Sequence, residues 1–264
     1  MVRLGLSSQA FPVLNTAEVS GLAAKAGLEG IEWAAESHLM PGDPRAASTL
    51  LMETLMARLA IASYAALYRV LPGAEAGLAF ETLLGTAMAI QSPILRIYAG
   101  SKPWTKMGAE ARKALADKLL RLGDLAGEKG VTVALTLSRG TALEDYRCAE
   151  ELLSEVDHAF IRVAWEPLPG VAVEEADAAL GRLSSRTALI LARRADRLGR
   201  SGPLAQEAQV WERRIAAYLA TETEPKMSRF VLLGRIGEAD EARVNEDSGF
   251  LSSVIRSRNP GRRP

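Results

Sequence analysis

Two side chains of this sequence combine acid–base chemistry with a position just after a predicted strand. His38 is one of only two histidines, and Glu166 lies in the run Trp165-Glu166-Pro167. A histidine titrates near neutral pH, and a carboxylate can take up or release a proton in a reaction. We therefore predict His38 and Glu166 as candidate catalytic residues. The alternatives are a loop histidine with local hydrogen bonds and a carboxylate paired with a neighbouring arginine.

Several arginines also follow predicted strands. Arginine binds carboxylate and phosphate through two parallel hydrogen bonds, so a concave site with several arginines favours an anion. Two further cations, Arg69 and Lys102, lie on adjacent loops. The residues predicted to hold the anionic part of a ligand are Arg139, Arg194 (or its neighbour Arg193) and Arg235.

Aromatic residues near the same strand ends can form the walls of a sugar-sized pocket. Trp33, Tyr98 and Trp165 are the three we assign to substrate binding. Their flat apolar faces suit stacking against a sugar ring. The alternative is ordinary core packing, which large aromatic side chains also favour.

Other polar residues have structural explanations of equal or greater weight. Glu32 lies inside the second predicted strand, where burial requires a partner. Arg96 in the fourth strand is one candidate, so a barrel-interior ion pair and a catalytic acid are both open. His158 precedes a strand and is expected on the opposite face, in a structural role. Cys148 lies within a helix and is expected to pack there.

The chain alternates short apolar strands with amphipathic helices. Predicted strands cover 2–8, 30–34, 61–67, 93–99, 131–137, 160–165, 187–192 and 229–236. Helices are predicted between them, including 74–89, 109–128, 172–183, 204–220 and 240–256. Capping boxes are predicted at Asn15 with Glu18 and at Thr141 with Glu144, where a helix to about Val156 opens. Asp43-Pro44 starts another helix.

Continuous apolar strands indicate a parallel sheet that is buried on both faces. Eight strand–helix units over about 250 residues match a single (β/α)8 TIM barrel, covering residues 1–258. A doubly wound open sheet is the alternative, but no G-x-G-x-x-G follows the first strand. Residues 259–264 form a basic tail that we expect to be loosely held. In a barrel, function lies at the carboxyl ends of the strands.

Composition narrows the classes of partner. The formal net charge is zero, so no global field draws the chain to nucleic acid or to anionic lipid. The single cysteine, Cys148, excludes an internal disulfide and fits a reducing compartment. No apolar run approaches the roughly 20 residues of a membrane helix, and no signal peptide is recognised. We expect a cytoplasmic protein that binds a small molecule, with homo-oligomerisation left open.

Motifs along nearly the whole chain carry a family resemblance. In order, they are GIEW with a loop that ends in HLMPGD, then SYAALYRVL, ILRIYAG, VTVALTLSRGT, EVDHAFIRVAWEPLPG and PLAQEAQVW. Together they resemble the sugar phosphate isomerase/epimerase family, the xylose-isomerase-like TIM barrels. The family's fifth strand usually reads L-x-L-E-x-H-x-G-T, and its sixth carries W-[DQE]-P. The resemblance implies the barrel fold and a site at the barrel mouth.

The resemblance also implies a divalent metal, held by acidic and histidine ligands from several strands, which polarises a substrate oxygen. This chain departs from that pattern at the ligand positions. Thr136 stands where the family has Glu, and Ser138 stands where it has His. The seventh and eighth strands end in Ala192-Arg193-Arg194 and Leu233-Gly234-Arg235. No cofactor is predicted; a divalent metal stays an alternative with most ligands absent, and arginine charge is expected in its place.

The predicted function follows from these residues and from the resemblance. The chain is expected to be a sugar isomerase/epimerase-like protein that acts on or binds a small, anionic sugar or hydroxy-keto metabolite at the mouth. The alternative is a non-catalytic, metabolite- or partner-binding protein with a degenerate metal site. The related abasic-site endonucleases are a remote third option. They need a multi-ligand metal site and a basic DNA groove, and this sequence shows neither.

Overall fold

Eight parallel strands close into a barrel in the computed structural model, which describes residues 2–71, 79–194, 202–222, 228–234 and 240–258. Neighbouring strands follow chain order, and the last strand pairs with the first from Val2↔Arg229 to Leu6↔Leu233. This confirms the predicted single (β/α)8 barrel. The strands are β1 (Val2–Ser7), β2 (Gly30–Ala34), β3 (Ala60–Val70), β4 (Ile94–Ala99), β5 (Thr132–Thr136), β6 (Ile161–Trp165), β7 (Thr187–Ala192) and β8 (Arg229–Leu233).

A helix follows each strand and packs on the outside of the barrel. Short 3-10 helices at Ser8–Ala10, Trp104–Lys106, Ser184–Arg186 and Leu204–Glu207 complete the loops. Within the described ranges, no helix combines the length and apolar character needed to cross a bilayer. The helices are α1 (Thr16–Lys25), α2 (Pro44–Met56), α3 (Phe80–Ala89), α4 (Ala109–Gly127), α5 (Tyr146–Glu155), α6 (Val173–Leu183), α7 (Ala208–Ala220) and α8 (Glu241–Arg258).

Two predicted helix starts are confirmed in atomic detail. At α1, the backbone N–H of Glu18 donates to the Asn15 side chain at 2.9 Å, and the Asn15 N–H donates to the Glu18 carboxylate at 2.8 Å. At α2, Asp43 accepts from two backbone N–H groups, and Pro44 occupies the first turn. These caps satisfy donors that the first turn of a helix leaves without partners.

The predicted start of α5 is wrong. Thr141 does not cap a helix; its hydroxyl donates to the carbonyl of Ser138 at 2.6 Å, within a turn. The Glu144 carboxylate accepts from the N–H of Gly140 at 2.8 Å, on the same turn. The helix begins later, at Tyr146, with Asp145 as its cap. The S/T-x-x-E spacing was satisfied by a turn, because these side chains can bond a turn as readily as a helix end.

Several strands and helices begin or end at residues other than those predicted. The second and seventh strands match, whereas β3 continues to Val70, beyond the predicted Leu67. The third helix begins at Phe80 rather than near residue 74, and residues 72–78 lie outside the described ranges. The predicted ends of the eighth strand and of the chain, residues 235–239 and 259–264, also lie outside them.

Small residues on β1 and β2 make room for large ones on β8 inside the barrel. A Cβ added to Gly30 would come within 2.7 Å of the Phe230 ring. One added to Gly5 would come within 2.7 Å of both the Gly30 carbonyl oxygen and the Leu232 side chain. The barrel interior is therefore packed solid in its lower part, and the open space lies above this layer.

Candidate functional site

A cavity of about 680 Å³ opens at the carboxyl ends of the strands. This is the face of a (β/α)8 barrel on which ligand sites are built. Hydroxyl, amide, carboxylate and guanidinium groups line it together with a few apolar side chains. The lining residues are Ser7, Gln9, Arg96, Tyr98, Thr136, Leu137, Ser138, Arg139, Glu144, Asp145, Glu166, Leu168, Pro169, Gly170, Val171, Leu191, Arg193 and Gly234.

A buried ion pair between Glu32 on β2 and Arg96 on β4 adjoins this cavity. The Nε and Nη2 atoms of Arg96 donate to the two carboxylate oxygens of Glu32, each at 2.8 Å. Ser7 and Ser63 donate their hydroxyls to the same carboxylate at 2.8 and 2.7 Å. Of the two sequence interpretations of Glu32, the barrel-interior ion pair is confirmed.

The surroundings of this pair hold both groups in their charged forms. Burial raises the pKa of the Glu32 carboxyl, but Arg96 and the two serine hydroxyls outweigh burial and bring the pKa below its usual value. Burial lowers the pKa of the Arg96 guanidinium, and the Glu32 charge more than reverses this. Arg96 also donates to Thr136 Oγ1 at 3.2 Å and to Gln9 Oε1 at 2.9 Å. The network therefore connects β1, β2, β3, β4 and β5.

A second ion pair, between Glu166 and Arg193, lies in the cavity wall. The Nε atom of Arg193 is 2.8 Å from a Glu166 oxygen, and the side chains are only 10% and 11% exposed. Arg193 also donates to the Pro167 carbonyl at 3.3 Å. Glu166 thus faces the cavity, as predicted for a site residue, but it does so paired with an arginine. That pairing is the alternative weighed from the sequence.

Tyr146 on α5 braces the loop that carries Glu166. Its hydroxyl donates to the Glu166 carbonyl and accepts from the Leu168 N–H, both at 3.0 Å. Its ring stacks on that of Trp165 with 6.1 Å between centroids. Burial raises the pKa of the Tyr146 hydroxyl to about 12, so it stays protonated and keeps its donor role at neutral pH.

The β5 side of the cavity carries the most accessible cation. Arg139 is exposed, lines the cavity, and has no ion pair with any residue in the described part of the chain. Ser138 lies beside it, while Glu144 and Asp145 have backbone partners in Gly140 and Cys148. Arg139 therefore lies at the mouth, and its role in holding an anionic ligand stays a prediction.

Tyr98 lines the cavity from β4, and its role in substrate binding stays a prediction. The guanidinium of Arg69 lies 5.9 Å from the centroid of its ring. Arg69 itself donates to the carbonyls of Gly100 and Gly140, each at 3.0 Å, and so joins two mouth loops. Lys102 is exposed and is not among the lining residues.

His38, the other predicted catalytic residue, does not line the cavity. Its Nε2 lies 3.1 Å from the Leu14 carbonyl oxygen, so this nitrogen carries the proton. Its Nδ1 accepts from the Ser8 hydroxyl at 3.1 Å, and that hydroxyl accepts from the Ala34 N–H at 2.9 Å. Burial lowers the pKa of the imidazole. As a correction to the sequence assignment, His38 joins two loops beside the barrel.

Trp33 and Trp165 also lie away from the cavity, on the outer surface of the barrel. The Trp33 indole N–H donates to the Thr54 hydroxyl of α2 at 3.1 Å, and the side chain is fully buried. The Trp165 ring packs between Tyr146 and Arg214, whose guanidinium is 5.4 Å from its centroid. The alternation of a strand directs these rings towards the helices, so ordinary core packing accounts for both.

The remaining predicted cations do not join the cavity within the described ranges. Arg194 lies next to Arg193 in sequence but pairs with Glu207 at 3.3 Å. Consecutive residues at the end of a strand point to opposite sides, so only Arg193 lines the cavity. Arg235 falls outside the described residues. His158 contacts Asp124 at 3.2 Å at the other end of the barrel, in the structural role that was predicted.

The mouth residues do not fit a metal centre of the kind implied by the family resemblance. Three carboxylates line the cavity, and each already has a partner: Glu144 and Asp145 a backbone N–H, and Glu166 an arginine. Guanidinium groups have no lone pair to donate and repel a cation. In the ranges that the structure describes, no group of three or more His, Cys, Asp or Glu side chains could hold a metal ion.

Sequence reasoning missed several lining residues. Ser7 and Gln9 come from the end of β1 and the loop after it, and Gln9 contacts Arg96. Their polar run directly after an apolar strand was the available indication. Asp145 was missed because the helix start was assigned to Thr141. The partnership of Glu166 with Arg193 joins two strands and has no pattern in sequence.

No protein-family model matches this sequence, and no curated protein matches it. Solved structures do match over nearly the full length. A probable 3-DHS dehydratase AsbF from Bacillus anthracis has a TM-score of 0.73 at 14% identity, covering 95% of this chain and 98% of that one. An L-ribulose 3-epimerase has a TM-score of 0.70 at 12% identity, and the match covers 99% of this chain and 97% of that one.

A xylose isomerase domain protein from Planctomyces limnophilus has a TM-score of 0.69 at 11% identity, covering 97% of this chain and 98% of that one. The chain therefore has the fold of the xylose isomerase-like TIM barrels, as the sequence resemblance implied. At such low identity the likeness establishes the fold alone, because one fold supports many functions.

Proposed function

We propose that the mouth cavity binds a small, hydroxylated, anionic metabolite, a sugar acid or hydroxy-keto acid, without a resident metal. The observation that carries this proposal is that three guanidinium groups, those of Arg96, Arg139 and Arg193, line one cavity. Gln9, Thr136 and Ser138 supply amide and hydroxyl groups to the same cavity, and these suit the hydroxyls of a sugar-like ligand.

The three arginines differ in what they offer. Glu32 balances the charge of Arg96, and Glu166 balances that of Arg193. Arg139 has no ion pair in the described part of the chain, so it supplies the attraction for a ligand carboxylate. The paired arginines are held rigidly, and rigid donors orient a ligand with little loss of side-chain entropy.

The reaction class of the structural neighbours favours a sugar-like ligand. Two of them are named as an L-ribulose 3-epimerase and a D-psicose 3-epimerase. A second candidate function is therefore proton transfer on the bound metabolite, with Glu166 as the acid–base group because it lies in the cavity wall. The paired state of Glu166 favours binding without turnover, which is the non-catalytic alternative.

Calorimetric titration with a panel of small sugar acids, hydroxy-keto acids and neutral sugars tests the proposal. We expect an acid to bind, and to bind equally well after treatment with a chelator. Arg139→Met should weaken binding about tenfold, because a charge-assisted hydrogen bond is lost. Arg147→Met is the matched control, since Arg147 is an exposed arginine on α5 that pairs with Glu151.

Three results would contradict the proposal: equal affinity of both variants, a preference for neutral sugars, or binding that requires added Mn²⁺ or Mg²⁺. Proton exchange into the bound ligand, followed by NMR in D2O, distinguishes the two candidate functions. Exchange that Glu166→Gln abolishes while binding persists indicates catalysis. Binding with no exchange indicates a metabolite-binding protein.

A further inference from the structure

A second cavity, of about 540 Å³, lies between the loop after β6, the start of α6 and α7. We call it the α6–α7 cavity. Ala172 and Glu174 are exposed and line it, so it reaches the surface of the molecule. Its volume suits a small molecule. Four residues line both this cavity and the mouth cavity, which makes the two cavities neighbours: Leu168, Gly170, Val171 and Arg193.

Arg214 on α7 is a buried cation in the wall of the α6–α7 cavity. Its side chain is only 3% exposed, and its Nε atom donates to Asp177 at 2.7 Å. The guanidinium lies 5.4 Å from the ring centroid of Trp165 and 5.1 Å from that of Trp211. A cation is attracted to the face of an indole ring, so these contacts hold the guanidinium in place.

The terminal edge of this guanidinium, its Nη1 and Nη2 atoms, is open to the cavity. Among the described residues, the bond from Nε to Asp177 is the one hydrogen bond that Arg214 donates. Nη1 and Nη2 are not among the enclosed side-chain nitrogen atoms that lack a partner, so both are accessible from the cavity that Arg214 lines. Two parallel N–H groups on this edge match the two oxygens of a carboxylate.

The ion pair with Asp177 leaves positive charge beside the cavity. Asp177 is shared, because Arg213 donates its Nε and Nη2 atoms to the second carboxylate oxygen at 3.2 and 3.0 Å. One carboxylate therefore balances two guanidinium groups. The surplus positive charge favours an anion at the open edge of Arg214.

The amino terminus of α6 adds to this attraction. Ala172 is the N-cap of α6, and no side chain at this cap bonds the N–H groups of the first turn. These N–H groups and the helix dipole place partial positive charge at the cavity wall. Two carboxylates also line the cavity: Glu207 pairs with Arg194 at 3.3 Å, and Glu174 is exposed in the first turn of α6.

We propose that the α6–α7 cavity is a second ligand site, which binds a small monocarboxylate with an apolar body. The carboxylate binds the Nη1 and Nη2 atoms of Arg214. Apart from its charged groups, the described wall is apolar and carries no hydroxyl or amide side chain, unlike the mouth, so it suits an aliphatic body rather than a sugar. Binding here does not depend on the function proposed for the mouth. The apolar side chains that contact the body are Leu168, Val171, Val173 and Ala176.

The test is calorimetric titration of the full chain with sodium isovalerate, a branched aliphatic acid. Isovaleramide has the same shape without the charge, and sodium gluconate has a carboxylate on a hydroxylated body. All titrations are made at one ionic strength, because salt screens charge. We expect isovalerate to bind, and the amide to bind at least about tenfold more weakly, since the charge-assisted hydrogen bonds are lost. Gluconate should not compete for this site.

Arg214→Lys tests the open edge. Lysine keeps the positive charge and can still pair with Asp177, but it lacks the two parallel N–H groups. The variant should bind isovalerate about tenfold more weakly. Arg213→Lys is the matched control, because Arg213 precedes Arg214 on α7, bonds the same Asp177 and does not line the cavity. Its affinity for isovalerate should equal that of the wild type.

Ala172→Asp tests the site without a change at Arg214, and it decides the matter if Arg214→Lys does not fold. An aspartate at the N-cap stabilises the helix but adds negative charge to the cavity wall. Isovalerate should bind about tenfold more weakly to a protein that is at least as stable. Ala178→Asp is the control, because it adds the same charge at an exposed position of α6 that does not line the cavity.

Several results would overturn the proposal. They are no binding of isovalerate by the folded wild-type chain, equal binding of isovalerate and isovaleramide, and equal affinities of each test variant and its control. Arg139→Met, at the mouth, should leave isovalerate binding unchanged. Loss of binding in that variant would place the acid at the mouth and also overturn the proposal. Failure here is thus separable from failure of the proposed function, because sugar acids at the mouth depend on Arg139 and isovalerate depends on Arg214.

Discussion

At the scale of single residues, hydrogen-bond partners decide which side chains can do chemistry. Glu166 faces the cavity but is 2.8 Å from Arg193, whereas His38 has both ring nitrogens bonded away from the cavity. Among the cations that line the cavity, Arg139 is the exposed one, and it has no ion pair with any described residue. These partners support the proposed recognition of an anion more than the proposed transfer of a proton.

The His38 interactions predict a pH dependence of stability. Burial holds the folded-state pKa of His38 below the ordinary value of 6.5, so the unfolded chain binds the proton more readily. Stability should therefore fall as the pH drops through about 6.5, and the loss should end below the folded-state pKa. Urea unfolding between pH 7.5 and about 5 measures this. His38→Gln should flatten that part of the profile, whereas an unchanged slope would contradict the assignment.

At the scale of elements, the loop between β5 and α5 forms one wall of the cavity. Thr141 and Glu144 close a turn within it, and Asp145 caps the helix that follows. The turn brings Arg139 to the cavity, and the capped helix carries Tyr146, which braces the loop of Glu166. Two strand ends of the mouth are thus positioned through a single helix start.

Replacement of the α5 cap should cost measurable stability. Asp145→Ala removes the acceptor for the Cys148 N–H, a bond of 2.7 Å, and should lower the free energy of unfolding by about 1 kcal/mol. Asp117→Ala is the control, because Asp117 forms an exposed ion pair with Lys113 on α4 and should contribute less than about 0.5 kcal/mol. Equal losses in the two variants, measured by urea unfolding, would show that Asp145 is not the cap.

At the scale of the whole molecule, the barrel has a packed apolar layer below a buried polar layer. Phe230 fills the space left by Gly30 in the lower layer, and Leu232 fills the space left by Gly5. In the upper layer, the Glu32–Arg96 pair and its hydroxyl and amide partners connect side chains from β1 through β5. The polar layer links these strands through side-chain hydrogen bonds, and its members Ser7, Arg96 and Thr136 line the cavity.

Removal of one member of this pair should strongly destabilise the barrel. Glu32→Gln leaves the Arg96 charge buried without its counter-ion and should cost about 3 to 5 kcal/mol of unfolding free energy. The double variant Glu32→Met with Arg96→Met buries no charge, so it should be more stable than the Glu32→Gln variant. Urea unfolding of the variants checks this order. A double variant less stable than the single one would contradict the argument.

The sequence by itself determined the fold, through strand–helix alternation, continuous apolar strands and local caps such as Asn15 with Glu18. It also predicted a site at the mouth, where Glu166, Arg139 and Tyr98 line a cavity. These features depend on residues close together in the chain. The tertiary structure decided that Trp33 faces a helix and that Arg193 pairs with Glu166. Such facts depend on side-chain direction and on contacts between distant strands, which have no local pattern.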